Sequence, residues 1–87
     1  MTADLDAFQF PCSFPLKVMG LNTGDFSSAV KAIFRKHLGP EPVSFSHHLS
    51  STGKYLSITA TFTAVSREQL DGLYRELNGH ELVKMTL

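Results

Sequence analysis

The sequence predicts a single α+β domain in which two helices cover one face of a four-stranded antiparallel sheet. Four stretches that alternate apolar and polar residues and two stretches with helical spacing follow one another as strand, helix, strand, strand, helix, strand. With right-handed crossovers, this order closes most simply as a ferredoxin-like βαββαβ sandwich with strand order 4-1-3-2. The 87 residues, of which 43% are hydrophobic, suffice for one core and therefore one domain.

The first strand and the first helix are marked by a change of period. Between residues 13 and 20 every second side chain is apolar, which is typical of a half-buried strand. Asn22 and Thr23 then offer side-chain oxygens as helix caps, and an apolar stripe at helical spacing follows. A glycine and a proline at residues 39 and 40 predict the end of this helix.

The second half of the chain predicts a hairpin, a helix and a last strand. Residues 43 to 51 and 54 to 64 are rich in Ser, Thr, Val, Ile and aromatic residues, and Gly53 lies in the turn between them. Ser66, with a glutamine three residues later, has the capping-box pattern of a helix start. The third strand has an apolar face and a Ser/Thr-rich face, so we expect one side of the sheet to be open to water or to a partner.

The ends of the predicted domain follow from the loss of periodicity near the N-terminus. Residues 1 to 12 include Asp4 and Asp6 without a sustained pattern, and Pro11 removes a backbone donor just before the first strand. We therefore expect a flexible arm over residues 1 to 12 and the folded domain over residues 13 to 87.

Composition excludes several classes of partner and predicts a cytoplasmic protein. Eight basic and eight acidic residues give a formal net charge of zero, so no broad field would attract nucleic acid or anionic lipid. No apolar run approaches the roughly 18 to 20 residues that span a bilayer, and the acidic N-terminus is unlike a signal peptide. A single cysteine, Cys12, suits a reducing compartment.

The glycine-rich segment after the first strand, GLNTGDF at residues 20 to 26, raises the question of an anion site. It lacks both the phosphate-loop and the dinucleotide-binding patterns, and Asp25 would repel a phosphate at the helix start. One interpretation is that Gly20 and Gly24 allow a sharp turn from sheet to helix. The other is that exposed backbone amides bind a small polar ligand. These are the amides of Leu21, Asn22 and Thr23.

No residue pattern predicts catalysis, a metal or a cofactor. The neighbours His47 and His48 would point to opposite faces of a strand, and the other two histidines fall near helix ends. Cys12 lies in the arm, with no helix start or clustered cations beside it that would favour a nucleophilic thiolate. Acylphosphatases share the predicted topology, but they need an arginine in the first strand-to-helix loop, and LNTG at residues 21 to 24 contains none. We therefore expect a protein that is not an enzyme.

The open sheet face suggests a different class of function, because RNA-recognition domains stack bases on aromatic residues of central strands. Lys17 lies on the first strand, Tyr55 on the third and Lys84 on the last, and His48 shares the open face with serines of the second strand. One aromatic residue is too few for a base-stacking platform, so nucleic acid is not the expected partner. These four residues are the candidate contacts for a protein or RNA partner.

Several segments, in order, resemble the YbeD-like family of small bacterial proteins, whose function is largely unknown. They are FPCSFPLKVMG at the first strand, SSTGKY and SITATF around the hairpin turn, REQLDGLYREL in the second helix and ELVKMTL at the end. The resemblance covers about residues 10 to 87. It implies a fold similar to that of ACT domains, regulatory modules that bind amino acids and often pair their sheets or helices between subunits.

In ACT-like domains the loop from the first strand to the first helix contributes to a ligand site at a domain interface. The resemblance therefore implies a list of candidate ligand residues: Met19, Gly20, Leu21, Asn22, Thr23 and Gly24. We expect a non-enzymatic regulatory module that binds a small molecule such as an amino acid and forms a homodimer. The alternative is a module that binds protein or RNA through the open sheet face.

Overall fold

The structure, a computed structural model, describes residues 9 to 87 and contains the six predicted elements in the predicted order. They are β1 (Cys12–Leu21), α1 (Gly24–Leu38), β2 (Val43–Leu49), β3 (Tyr55–Ala64), α2 (Arg67–Gly79) and β4 (Val83–Thr86). No helix within the described residues is long and apolar enough to cross a membrane.

The four strands form one antiparallel sheet in the order β2-β3-β1-β4, which is the predicted order 4-1-3-2 counted from the other edge. The two central strands, β1 and β3, pair along their whole length, from Cys12 opposite Ala64 to Leu21 opposite Tyr55. The ferredoxin-like prediction is therefore confirmed.

The core lies between the sheet and the two helices. Alternate residues of β1 and β3 are buried on the helix side, and the apolar stripes of α1 and α2 pack against them. Phe34 of α1 is fully buried, and its ring centroid lies 5.9 Å from that of Phe45 and 5.9 Å from that of Phe62. One face of each helix and one face of the sheet thus form the core, and the other face of the sheet is left uncovered.

Both helices begin at the predicted caps. The Thr23 hydroxyl accepts a 3.1 Å hydrogen bond from the Phe26 amide, and the Ser66 hydroxyl accepts one of the same length from the Gln69 amide. The second cap departs from the capping-box pattern, because the Gln69 side-chain oxygen accepts from the Val65 amide at 2.9 Å instead of from Ser66. Local hydrogen bonds therefore define where each helix starts.

The predicted arm, residues 1 to 12, falls largely outside the described part of the chain, which begins at residue 9. Phe10 is half-buried against the core, and Cys12 is the first residue of β1, opposite Ala64. The packed domain therefore includes the last residues of that segment, and a flexible arm before them stays a prediction.

Candidate functional site

The loop between β1 and α1 is exposed, and it is held in place by the hairpin turn between β2 and β3. The Asn22 amide donates to the Lys54 carbonyl oxygen at 2.9 Å, and the Asn22 side-chain amide donates to the Gly53 carbonyl oxygen at 3.1 Å. All residues from 21 to 25 are nevertheless exposed. The loop is thus fixed in shape and open to solvent.

The backbone amides that the sequence suggested for ligand binding are partly in use. Besides the bond from Asn22 to the hairpin, the Thr23 amide donates to the Leu21 carbonyl oxygen at 2.8 Å. The Thr23 hydroxyl accepts from the Phe26 amide, which leaves the Gly24 and Asp25 amides as donors of the first helical turn without a hydrogen-bond partner among the described residues. A ligand at this loop would therefore meet Gly24, Asp25 and side chains more readily than the Asn22 amide.

Gly20 is required for packing and not for the sharp turn that the sequence suggested. It lies within β1, and positive backbone φ angles occur among the described glycines only at Gly39 and Gly53. A Cβ at Gly20 would lie 2.5 Å from Cε1 of Phe26 and 2.6 Å from the Leu82 carbonyl oxygen. Gly20 therefore lets two neighbouring groups approach the strand closely. A Cβ at Gly24, by contrast, would meet no atom within 4 Å.

The open sheet face brings the residues of the alternative interaction site into neighbouring rows. Lys17 lies opposite Thr59 of β3, and Met19 lies opposite Ser57, which in turn lies opposite His48 of β2. These rows follow the predicted alternation of the strands. Lys17 and His48 therefore share one face, as expected, but they are separated by the full width of β3.

A bulge in β4 changes which side chains reach the open face at that edge of the sheet. Gly20 pairs with Val83 and Met19 with Met85, so that the exposed residue Lys84 has no partner of its own in β1. Strict alternation along ELVKMTL would place Val83 and Met85 on the same face. The bulge puts Val83 against the core and leaves Met85 49% exposed.

Five apolar side chains therefore gather at one corner of the open face, which we call the apolar corner. Its members are Met19, Leu21, Tyr55, Met85 and Leu87. They are neighbours because of pairing: Leu21 lies opposite Tyr55, Met19 opposite Met85, and Leu87 exchanges backbone hydrogen bonds of 2.8 and 3.1 Å with Lys17. All except the half-buried Met19 are exposed.

On the other side of the molecule, an ion-pair cluster joins the two helices. The Glu76 carboxylate lies 2.9 Å from Nε2 of His37 and 3.1 Å from Nζ of Lys36. The hydrogen bond from His37, and to a smaller extent the one from Lys36, lowers the pKa of the Glu76 carboxyl below its ordinary value. The cluster holds the C-terminal turn of α1 against α2.

We predict that Glu76→Gln makes the free energy of unfolding depend less on pH in the acidic range. Because the pKa of Glu76 is lowered in the folded protein, the carboxylate stabilises the fold above the unfolded-state pKa of about 4.3 and loses this effect as the pH falls through its folded-state pKa. Urea unfolding at a series of pH values should show a smaller loss of stability on acidification for the variant than for the wild type. Glu41→Gln, in the exposed loop after α1, is the control and should keep the wild-type slope.

Comparison with known proteins assigns the chain to a family. The model of a family described as "Protein of unknown function (DUF493)" matches residues 6 to 87. The chain belongs to this DUF493 family. A UPF0250 protein of Chromobacterium violaceum is 42% identical over 94% of this chain and 93% of that protein, and one of Leptothrix cholodnii is 45% identical over 91% and 88%. The predicted YbeD-like resemblance is thereby confirmed.

Solved structures show the same fold as this DUF493 chain. The solution structure of HP0495 from H. pylori has a TM-score of 0.72 at 19% identity and covers 100% of this chain and 94% of its own. The ACT domain from GTP pyrophosphokinase of Chlorobium tepidum has a TM-score of 0.68 at 9% identity and covers 88% and 96%. The ACT-like form of the ferredoxin-like fold is therefore shown for the DUF493 chain.

The sequence-predicted residues of this DUF493 chain fall into two neighbouring sites. The candidate ligand residues and the strand residues Lys17 and Tyr55 lie at adjoining positions, because Met19 and Leu21 are part of β1 and lie on the open sheet face. His48 lies away from them on β2, and His47, on the helix side, pairs with Ile58. The apolar side chains at the β4 edge were not among the residues predicted from the sequence. Alternation in ELVKMTL hints at Met85 and Leu87, but only the bulge assigns their face.

Proposed function

We propose that this DUF493 protein is a non-enzymatic regulatory module that binds a small molecule such as an amino acid at residues 19 to 24. One observation carries the proposal. The loop is fixed to the hairpin through Asn22 while residues 21 to 25 remain exposed, so a ligand would meet a preformed surface and would not need to order the loop. The ACT-like fold supports the choice of this loop.

The chemistry of the loop favours an amino acid over a phosphate-bearing ligand. The first-turn amides of α1 at Gly24 and Asp25 suit a carboxylate, because a helix N-terminus carries partial positive charge. The exposed Asp25 carboxylate would attract an ammonium group and repel a phosphate. A zwitterion presents both of the groups that this loop can satisfy, and neither a metal nor a cofactor is needed.

The same loop supports a binding role without catalysis. Among residues 19 to 25 the single titratable side chain is that of Asp25, whereas acid-base chemistry usually needs a second group positioned at the reacting atoms. Regulation would therefore act on a separate partner. A homodimer in the cytoplasm is the setting we propose, because a second copy could cover the exposed side of a ligand bound at the loop.

We predict that Gly24→Val blocks ligand binding without loss of the fold. A Cβ at Gly24 would meet no atom within 4 Å, so the added side chain would occupy the space above the loop and not the core. Amide NMR titration with pooled amino acids should shift residues 19 to 25 in the wild type and leave them unchanged in the variant. Ser28→Val, one turn later on α1, is the matched control and should bind as the wild type does.

Two results would contradict an amino-acid site at this loop. If no amino acid shifts residues 19 to 25 in a sample of known oligomeric mass, or if Gly24→Val and Ser28→Val bind equally well, the loop is not an amino-acid site. Shifts that are confined to other parts of the chain would move the site elsewhere.

A second candidate function rests on the exposed apolar side chains of the open sheet face. Contiguous exposed apolar surface often marks an interaction site, and here Leu21 is exposed beside Tyr55 while Met85 and Leu87 are exposed on the other side of β1. The candidate contacts Lys17 and Lys84 lie on or beside this surface. We propose a protein partner ahead of RNA, because Tyr55 offers only one aromatic ring for stacking.

A further inference from the structure

We propose that the apolar corner, bordered by lysines, binds a segment of a partner protein that combines apolar side chains with Asp or Glu. This inference makes the second candidate function specific, and it does not depend on ligand binding at the loop. It rests on three properties of the open face: its exposed apolar area, the sign of its charges and the kind of apolar side chains that it presents.

The apolar corner is a continuous surface. Leu21 is 38% exposed and Tyr55 37%, at one end of the paired central strands, while Met85 at 49% and Leu87 at 54% lie on the neighbouring edge. Met19 lies between the two pairs, opposite both Ser57 and Met85. Contact with a partner would remove these side chains from water, which is the main favourable contribution to association.

Three lysines lie around the corner. Lys17 lies next to Leu87 across the strands, Lys84 precedes Met85 in the bulge, and Nζ of Lys54 lies 5.5 Å from the centroid of the Tyr55 ring. None of the four strands contains Asp or Glu, so every carboxylate side chain among residues 9 to 87 belongs to a helix or a loop. The open face is therefore basic although the chain has a formal net charge of zero.

The apolar side chains themselves favour a protein partner over nucleic acid. The corner contains two methionines, two leucines and one tyrosine, and flexible methionine side chains adapt to the apolar side chains of peptides. Single-stranded nucleic acid is usually bound on several aromatic rings that stack successive bases. Apolar contact with lysines at the border matches a segment in which Leu, Ile, Phe or Met alternates with carboxylates.

The test uses a random-peptide display library selected on the intact protein. We expect the enriched peptides to combine large apolar residues with Asp or Glu, and their amide shifts to centre on Met19, Tyr55 and Met85. Met85→Glu should weaken the selected peptides by about tenfold or more, because it places a carboxylate among the buried contacts. Lys84→Glu should weaken them by a similar factor, with the difference shrinking at high salt.

Two control variants separate this surface from general effects of charge. Thr63→Glu adds the same carboxylate to the same face, at the far end of β3 opposite Ser13, and should leave peptide affinity unchanged. Arg35→Glu makes the same change of net charge as Lys84→Glu, on the exposed side of α1, and should also have no effect. Circular dichroism of each variant verifies that the fold is kept.

Three results would overturn the proposal. One is enrichment of basic or uncharged peptides, or no enrichment. Another is binding that Met85→Glu and Thr63→Glu weaken to the same extent. The third is an oligouridine strand that shifts Met19, Tyr55 and Met85 more strongly than any selected peptide, which would assign the surface to nucleic acid. The proposal of a ligand site at the loop is tested separately, by the amide shifts of Asn22, Thr23 and Gly24 on adding amino acids.

Discussion

Gly20→Val is expected to lower the free energy of unfolding by about 3 kcal/mol or more, since overpacking of a close contact already costs roughly 1 to 3 kcal/mol. The added Cβ would lie 2.5 Å from the Phe26 ring and 2.6 Å from the Leu82 carbonyl oxygen. Phe26 is fully buried, and the carbonyl belongs to the backbone, so neither group can move aside cheaply. Urea unfolding monitored by circular dichroism measures the loss.

Gly24→Val is the matched control for this change, because it adds the same side chain four residues later where a Cβ meets no atom within 4 Å. We expect its free energy of unfolding to stay within about 1 kcal/mol of the wild-type value, because the helix propensities of Gly and Val differ by less than that. Equal stability of the two variants would show that Phe26 and Leu82 do not approach Gly20 closely. Because Gly20→Val disturbs the fold, Gly24→Val is the variant suited to tests of ligand binding.

Phe34→Ala is expected to destabilise the protein by about 3 to 5 kcal/mol, the usual range for truncating a buried phenylalanine. Phe34 is fully buried on α1, and its ring contacts those of Phe45 on β2 and Phe62 on β3. Its removal would leave a cavity between α1 and the two strands. Since small domains have only about 5 to 15 kcal/mol of stability in all, the variant should be partly unfolded at moderate temperature.

Tyr55→Ala provides the comparison for Phe34→Ala, because it truncates an aromatic residue that is 37% exposed on the open face. We expect thermal unfolding to show a smaller change for Tyr55→Ala, about 1 kcal/mol, because truncation of a side chain at the surface leaves no enclosed cavity. A larger effect at Tyr55 than at Phe34 would mean that the core lies on the other face of the sheet. The same variant also removes one member of the apolar corner.

The ligand loop and the open face differ in how far the sequence could predict them. Thr23 could be identified as a cap because its hydroxyl bonds an amide only three residues away. Lys17 and Tyr55 could be assigned to the open face because strand alternation decides the direction of each side chain. The bond from Asn22 to Gly53 could not be predicted in this way, because the two residues are far apart in the chain.

The sequence alone therefore determined the order of elements, the two helix caps and the buried faces of β1 and β3, all of which follow from periods and hydrogen bonds within a few residues. Only the tertiary structure decided the purpose of Gly20, the pairing of Glu76 with His37 and the bulge that turns Met85 to the open face. Each of these depends on how distant segments pack, and packing distances between segments are not encoded in the spacing of any one of them.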